Sequence, residues 1–373
     1  MNWYIILFFL IGICLFAITQ YLRTKKENQI EAEQEYLEEL EYFQSENALS
    51  PADKLSKYHN VTIDFKNANE ARKLFTNTTN NNNAEYLQKM NQPNLLARGC
   101  SSRDELYNKY LDAFDDITEK ERASVNSFIL DLLDTIKERN VAYYKYLINW
   151  IRKISIAKAK PWLEAGMPHT LENTIIMDAD WFSNPRSTTF VHELTHVNQR
   201  QVAFEFEDLY KDLGYFEYSP GVENIRGMDS IVALNRNNPD GLSYNWLWCD
   251  KSSNTLLPNM NFSGNTFWWI GAIFQNITPS RLTDVSNVAL KLEQGSDGTF
   301  YYLKQQPTLL DTLGEFNSFF GGNPNNYHPN EMTAKFSEWY LEYVLGKSGS
   351  KYENYEGFKI YKKHFENLIK SFY

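Results

Sequence analysis

The stretch Phe190-Val191-His192-Glu193-Leu194-Thr195-His196-Val197 decides how this chain is read. Residues four apart on an α-helix lie on one face, one turn above each other. His192 and His196 can therefore aim two imidazoles at one metal ion. Glu193 follows the first of them, flanks the same ion and can take a proton from water there. Val191, Leu194 and Val197 face the other way, which sets an apolar packing face against the polar one. Asn184-Pro185 offers a start signal, an N-cap candidate followed by proline at the first helical position. The plain alternative is an exposed helix whose histidines bind nothing. The helical context around the motif argues against it.

Zinc suits this donor set, and a catalytic zinc takes three protein ligands with one position left for water. A third ligand must therefore be found. Glu205 and Glu207 follow His196 too closely unless the helix breaks early. Glu223 lies at a suitable distance, but Pro220-Gly221-Val222-Glu223-Asn224 reads as a turn. Glu331 is the stronger choice. It sits in Tyr327-His328-Pro329-Asn330-Glu331-Met332-Thr333-Ala334-Lys335-Phe336, where Pro329 and Asn330 can open a helix with Glu331 in its first turn. Phe336, Trp339 and Tyr340 would anchor that helix in the core. The metal set expected is thus His192, His196 and Glu331. His328 is a lesser candidate for a ligand or a substrate contact, and otherwise a helix-start residue beside the cleft. Arg200, four residues after His196, can pair with a carboxylate of the cleft or be a surface arginine. His169 and Asn238-Pro239-Asp240 are expected at the cleft border, a turn being the default for the latter.

These segments form an ordered set: Met167-Pro168-His169-Thr170, Thr174-Ile175-Ile176, the motif with Gln199-Arg200, Asn238-Pro239-Asp240, and His328-Pro329-x-Glu331-x-x-Ala334. The set resembles a group of zincin-like proteins of large DNA viruses, algae and some bacteria, over roughly residues 150–345. Asn330-Glu331-x-x-Ala334 is similar to the pattern that supplies the glutamate ligand in gluzincins. The resemblance implies a zincin-like catalytic domain with Zn2+, a peptide or protein substrate, and an edge strand beside the cleft that aligns an extended substrate. One departure stands out. Gluzincins often carry an aspartate four residues after the glutamate ligand, to orient a zinc histidine, and this chain has Lys335 there. The orienting acid must come from elsewhere, with Asp240 as the candidate.

The function expected is a membrane-anchored zinc metallopeptidase in which Glu193 is the general base for a water acidified toward ~7 and then protonates the leaving amine. Tyr244 and His328 are possible oxyanion donors. A non-peptide amide substrate is one alternative. A membrane-tethered binding or scaffold protein that keeps the fold without turnover is another, although such a relic has no need of Glu193.

Trp3 to Leu22 carries no charge and is mostly Ile, Leu and Phe. That is about the ~20 residues that cross a bilayer. Trp3, Tyr4 and Tyr21 sit at interfacial positions, and Arg23, Lys25 and Lys26 follow at once. No basic residue precedes the run and no Ala-x-Ala site follows, which favours a single-pass anchor over a cleaved signal peptide. The basic flank weakly favours a cytoplasmic body. Asn60-Val-Thr, Asn77-Thr-Thr, Asn261-Phe-Ser and Asn276-Ile-Thr have the form of glycosylation acceptors, as chance allows in a chain this rich in Asn. Beyond the apolar run only Cys100 and Cys249 remain, which allows one disulfide but no disulfide framework.

A net charge of −10 argues against a nucleic-acid partner. Hydrophobic residues make up 43% and charged residues 23%, which is a globular balance. The aromatic run Phe267-Trp268-Trp269 reads as core before it reads as a pocket wall. Along the chain we expect an anchor over 3–22, a stalk helix and loop-rich linker over 23–100, and the metallohydrolase domain over 101–373. Within these, Tyr36, Leu37, Leu40 and Phe43 give a stalk stripe over 27–47, and Ser50-Pro51 starts a short helix. Thr76 to Asn83 and Asn91 to Asn94 read as loops. Residues 103–155 read as two or three amphipathic helices, with Leu106, Tyr110 and Phe114 on one stripe and Ile129, Leu132, Leu133 and Ile136 on another. A short strand over 172–178 precedes the motif helix. The fold class expected is α+β, mainly helical, with a small sheet beside that helix.

Overall fold

The computed structural model describes residues 49–76, 90–240, 245–250, 266–322, 326–347 and 351–372, with isolated positions at 87 and between 20 and 35. The anchor over 3–22 and the stalk over 27–47 lie almost wholly outside the described residues, as do Tyr244 and all of the Asn/Thr tract beyond Thr76. Among the described residues no helix is long and apolar enough to cross a membrane. The chain divides into two compact units, Met1–Lys54 and Leu55–Tyr373. In the first, Ser50 and Asp53 cap the helix Pro51–Lys54 reciprocally: the Ser50 hydroxyl donates to Asp53 Oδ2 at 2.6 Å and accepts from the Asp53 N–H at 3.2 Å.

The second unit is α+β and mainly helical, with two sheets. The first sheet contains β1 (Asp64–Phe65), β2 (Phe114–Asp115), β3 (Ser155–Ala159), β4 (His169–Leu171) and β5 (Thr174–Asp178), in the order β1-β3-β5-β4 with β2 also on β3. β1 and β5 run parallel to β3, β2 antiparallel to it, and β4 antiparallel to β5. The second sheet is antiparallel and contains β6 (Tyr215–Glu217), β7 (Trp246–Cys249), β8 (Phe267–Phe274), β9 (Val285–Gln294), β10 (Phe300–Tyr302) and β11 (Thr308–Leu309). Every residue of β8 is buried, so Phe267, Trp268 and Trp269 belong to the core. Leu55, Val61 and Ile63 join the main core, and β1 extends the first sheet from the same stretch of chain.

Local sequence explains the helices that frame the site. Thr118 and Glu121 form a capping box that starts the helix Glu119–Arg139, whose Ile129, Leu132, Leu133 and Ile136 are buried. Asn140 ends that helix and caps the next one, Val141–Ile151, by accepting from the Tyr143 N–H at 3.0 Å. The motif helix, Ser187–Gln201, packs on β4, on β5, on Val141–Ile151 and most extensively on the helix Pro329–Val344. Val191, Leu194 and Val197 sink into the main core, as their spacing predicts.

Three local expectations are corrected. Asn91 to Asn94 is not a loop: Asn91 caps the helix Gln92–Ala97, with Pro93 in its first turn, where a missing N–H costs no hydrogen bond. Phe114 does not continue the stripe of Leu106 and Tyr110, because that helix ends at Tyr110 and Phe114 lies on β2. Asn184-Pro185 does not start the motif helix. Asn184 closes the short helix Ala179–Ser183, and Arg186 stands at the N-cap without a side-chain bond. Cys100 and Cys249 are both buried.

Candidate metal centre

Two helices build the site. The motif helix supplies His192 and His196 from one face, both buried. Pro329 opens the facing helix, with His328 at the N-cap accepting from the Asn330 N–H at 3.1 Å, and Glu331 stands in its first turn. Phe336, Trp339 and Tyr340 fix that helix in the core. His192 Nε2 and His196 Nε2 then lie 3.1 Å apart, and Glu331 Oε2 is 3.5 Å from the first and 3.7 Å from the second. The three side chains form a buried group with the donor atoms and spacing to hold a metal ion. Glu223 is exposed in a one-turn helix at Val222–Asn224. Glu207 is exposed and Glu205 half-buried on the helix Ala203–Asp212. Among the described residues none of the three joins a metal-binding group.

The protonation pattern tests whether a cation fits. Gln199 Nε2 donates to the Asn330 carbonyl at 2.9 Å and to Thr333 Oγ1 at 2.8 Å, so its amide cannot be turned over. Its Oε1 therefore faces His196 Nδ1 at 2.8 Å, and Nδ1 must carry the hydrogen. Glu338 Oε1 lies 2.8 Å from His192 Nδ1, which fixes the same tautomer there. In the neutral rings both Nε2 atoms are then bare lone pairs, converging with a carboxylate oxygen. Three acceptors this close repel unless a cation or a proton sits among them. The same preference appears in the acid–base balance. Burial disfavours a charged His192, yet its bonds to Glu331 and Glu338 outweigh burial and hold its pKa well above the ordinary histidine value.

Glu193 occupies a different environment. It is buried, and among the described residues its Oε2 has no hydrogen-bond partner. Burial, and then the nearby charge of Asp240, push its pKa up to about 8 against the pull of the two histidines. Asp240, Glu193 and His196 bring ligand-type atoms within 4.8 Å of one another. Asp240 is held from the other side, its Oδ1 accepting the Thr170 N–H at 2.7 Å and the Thr170 hydroxyl at 2.8 Å. Arg200 stands behind Thr170, donating to its Oγ1 at 2.9 Å and to the Glu172 carbonyl at 2.7 Å. Its hydrogen bond to Thr170 points it at the site, and its charge acts on Asp240 and Glu193.

A cavity of about 510 Å³ opens on this group, lined by Glu193, His169, Asn238, Asp240 and Tyr327 among others. His169 and Asn238-Pro239-Asp240 thus border the cleft as expected. His328 caps its helix.

The orienting acid is a correction. Among the described residues Asp240 bonds to Thr170 and to neither His192 nor His196. Glu338 takes that role for His192, and Lys335 holds Glu338 Oε2 at 2.6 Å. Glu338 is seven residues after Glu331, two turns along one helical face, so periodicity alone could have found it. Gln199, three residues after His196, carries a similar signal. Comparisons with protein families, with curated proteins and with solved structures give no match.

Proposed function

We propose that this chain is a zinc-dependent hydrolase with a zincin-like catalytic domain, a metallopeptidase that cleaves an amide bond and is held to a membrane by residues 3–22. The observation that carries the reading is one arrangement. Two oriented imidazoles and a buried glutamate converge at 3.1–3.7 Å, and beside them on an open cavity stands a carboxylate oxygen of Glu193 that has no hydrogen-bond partner among the described residues. His192, His196 and Glu331 would hold Zn2+. When bound, the ion supplies Lewis acidity, which acidifies water and polarises a carbonyl.

The chain's own residues account for the rest. Glu338 and Gln199 keep both rings in the tautomer that offers Nε2. Glu193 takes a proton from the attacking water and passes it to the amide nitrogen as the C–N bond breaks, giving a carboxylic acid and an amine, which leave as carboxylate and ammonium. Burial and the Asp240 charge raise the Glu193 carboxyl when no cation is present, and a bound cation would pull it back toward the carboxylate that a base needs. β4 is the edge strand of its sheet, with His169 on the cavity, but the Thr170 N–H and carbonyl are already taken by Asp240 and Arg200, so a peptide would lie in the cavity without pairing to β4 at that residue.

The test is Glu193→Gln in the full chain, with zinc content and peptide hydrolysis read together. The variant should keep zinc and the fold while losing roughly 10²–10⁴ in rate. Wild-type turnover in that variant would remove the proposed base.

A further inference from the structure

The two oxygens of Glu331 are treated differently. Oε2 faces the Nε2 atoms of His192 and His196 at 3.5 and 3.7 Å. Oε1 points away, where Asn238 Nδ2 donates to it at 2.7 Å and the Tyr327 hydroxyl donates at 3.2 Å. The Asn238 amide cannot be turned over. Its Oδ1 accepts the Asp240 backbone N–H at 2.9 Å, which leaves Nδ2 for Glu331 and, at 2.6 Å, for the Tyr327 hydroxyl oxygen.

The segment that carries Asn238 is itself fixed from far upstream. Asn94 is fully buried on the helix Gln92–Ala97. Its Oδ1 accepts the Asn237 N–H at 2.8 Å, and its Nδ2 donates to the Asn235 carbonyl at 2.8 Å. Arg98 adds a bond to the Asn237 carbonyl at 3.3 Å.

From this geometry we infer that Asn238 is a positioning residue for the metal centre: it retains Oε1 of Glu331 so that Oε2 alone is presented beside the two imidazoles. This rests on the zinc reading above. A carboxylate without such donors turns about its last torsion and can offer one oxygen or both. Two-oxygen binding would fill the position that a catalytic zinc keeps open for water. A buried amide of fixed orientation removes that freedom, and Asn94 stiffens the backbone behind it.

The experiment compares wild type, Asn238→Leu, Tyr327→Phe and His192→Ala as full chains. The readouts are zinc affinity by chelator competition, the visible spectrum of the Co2+-loaded protein, and the melting temperature without metal. Leucine keeps the size of asparagine and removes the donors. Asn238→Leu should bind zinc about 10–100-fold more weakly. Once saturated with Co2+, it should show weaker, shifted bands, the mark of a higher coordination number. Tyr327→Phe should lose a few-fold, because its bond is the longer one. A residue that merely supports the fold would lower the melting temperature and leave the saturated Co2+ spectrum unchanged. Wild-type affinity and an unchanged spectrum in Asn238→Leu overturn the inference. Should that variant not fold, Tyr327→Phe carries the test alone with the same two outcomes. If wild type takes up no more zinc than His192→Ala, the zinc reading itself has failed, and that result is distinct from the others.

Discussion

Replacing Glu338 with alanine should loosen the metal centre without touching a ligand. Glu338 Oε1 accepts from His192 Nδ1 at 2.8 Å, a charge-assisted bond between a half-buried acid and a buried ring. The bond fixes the ring's rotation and keeps the hydrogen on Nδ1, so Nε2 stays free. Loss of such a partner typically costs 10–100-fold in metal affinity, about 1.4–2.8 kcal/mol. Glu338→Gln should fall near the lower end of that range, because an amide oxygen still accepts from Nδ1–H but without charge. Its NH2 group would also face Lys335, which now pairs with Glu338 Oε2 at 2.6 Å. Lys335→Met removes that ammonium and leaves the acid, so it should change affinity less than Glu338→Ala. Chelator competition for zinc, run on all three variants and wild type, reads the order directly. Wild-type affinity in Glu338→Ala would refute the reasoning, since the His192 ring would then be oriented by something else.

Glu331→Ala should weaken zinc binding far more than Glu223→Ala, because Glu331 faces the histidines while Glu223 is exposed; equal losses in a titration would refute this assignment. Deleting residues 1–26 should give a folded protein that no longer sediments with membranes, since the compact unit Leu55–Tyr373 lies beyond the deletion; aggregation of the truncated chain alone would show a structural role. Burial works against the Glu164 carboxylate, but Arg98, at 2.7 Å, wins and depresses its pKa from 4.5 to about 2. That lowered value means the pair's stabilisation is fully present above about 4.5 and is lost as pH falls toward 2, about 3 kcal/mol in all. Glu164→Gln should therefore flatten the acid limb of a stability-against-pH curve. At pH 7 it should also destabilise the fold by roughly 3–5 kcal/mol by stranding Arg98. An unchanged acid limb in denaturant titrations would refute it.

What the sequence makes legible here is local. His192 and His196 sit one helical turn apart with Glu193 beside the first, and Glu331 sits two residues after a proline that opens its helix. Spacing and start signals carry that much. The same rules misjudge the motif helix's own start, because packing on β4, β5 and the facing helix outweighs any capping side chain there. They also misjudge Asn91 to Asn94, where asparagine and proline look like loop formers but serve as a cap and a first turn. Partners that meet across long stretches of chain leave no local trace. Asn238 reaches Glu331 over 93 residues, and Asn94 reaches Asn235 over 141. Glu338 was hidden for another reason: the resemblance pointed to the position now held by Lys335, which turns out to be that acid's own partner.

The central claim is that His192, His196 and Glu331 form a zinc site. Its most direct test is elemental analysis of the purified full-length chain, wild type beside His192→Ala, after dialysis against trace zinc. The expected result is one zinc per wild-type chain and a near-complete loss in the variant, with both proteins folded. A wild-type chain that retains no zinc, or a variant that retains as much as wild type, would contradict it.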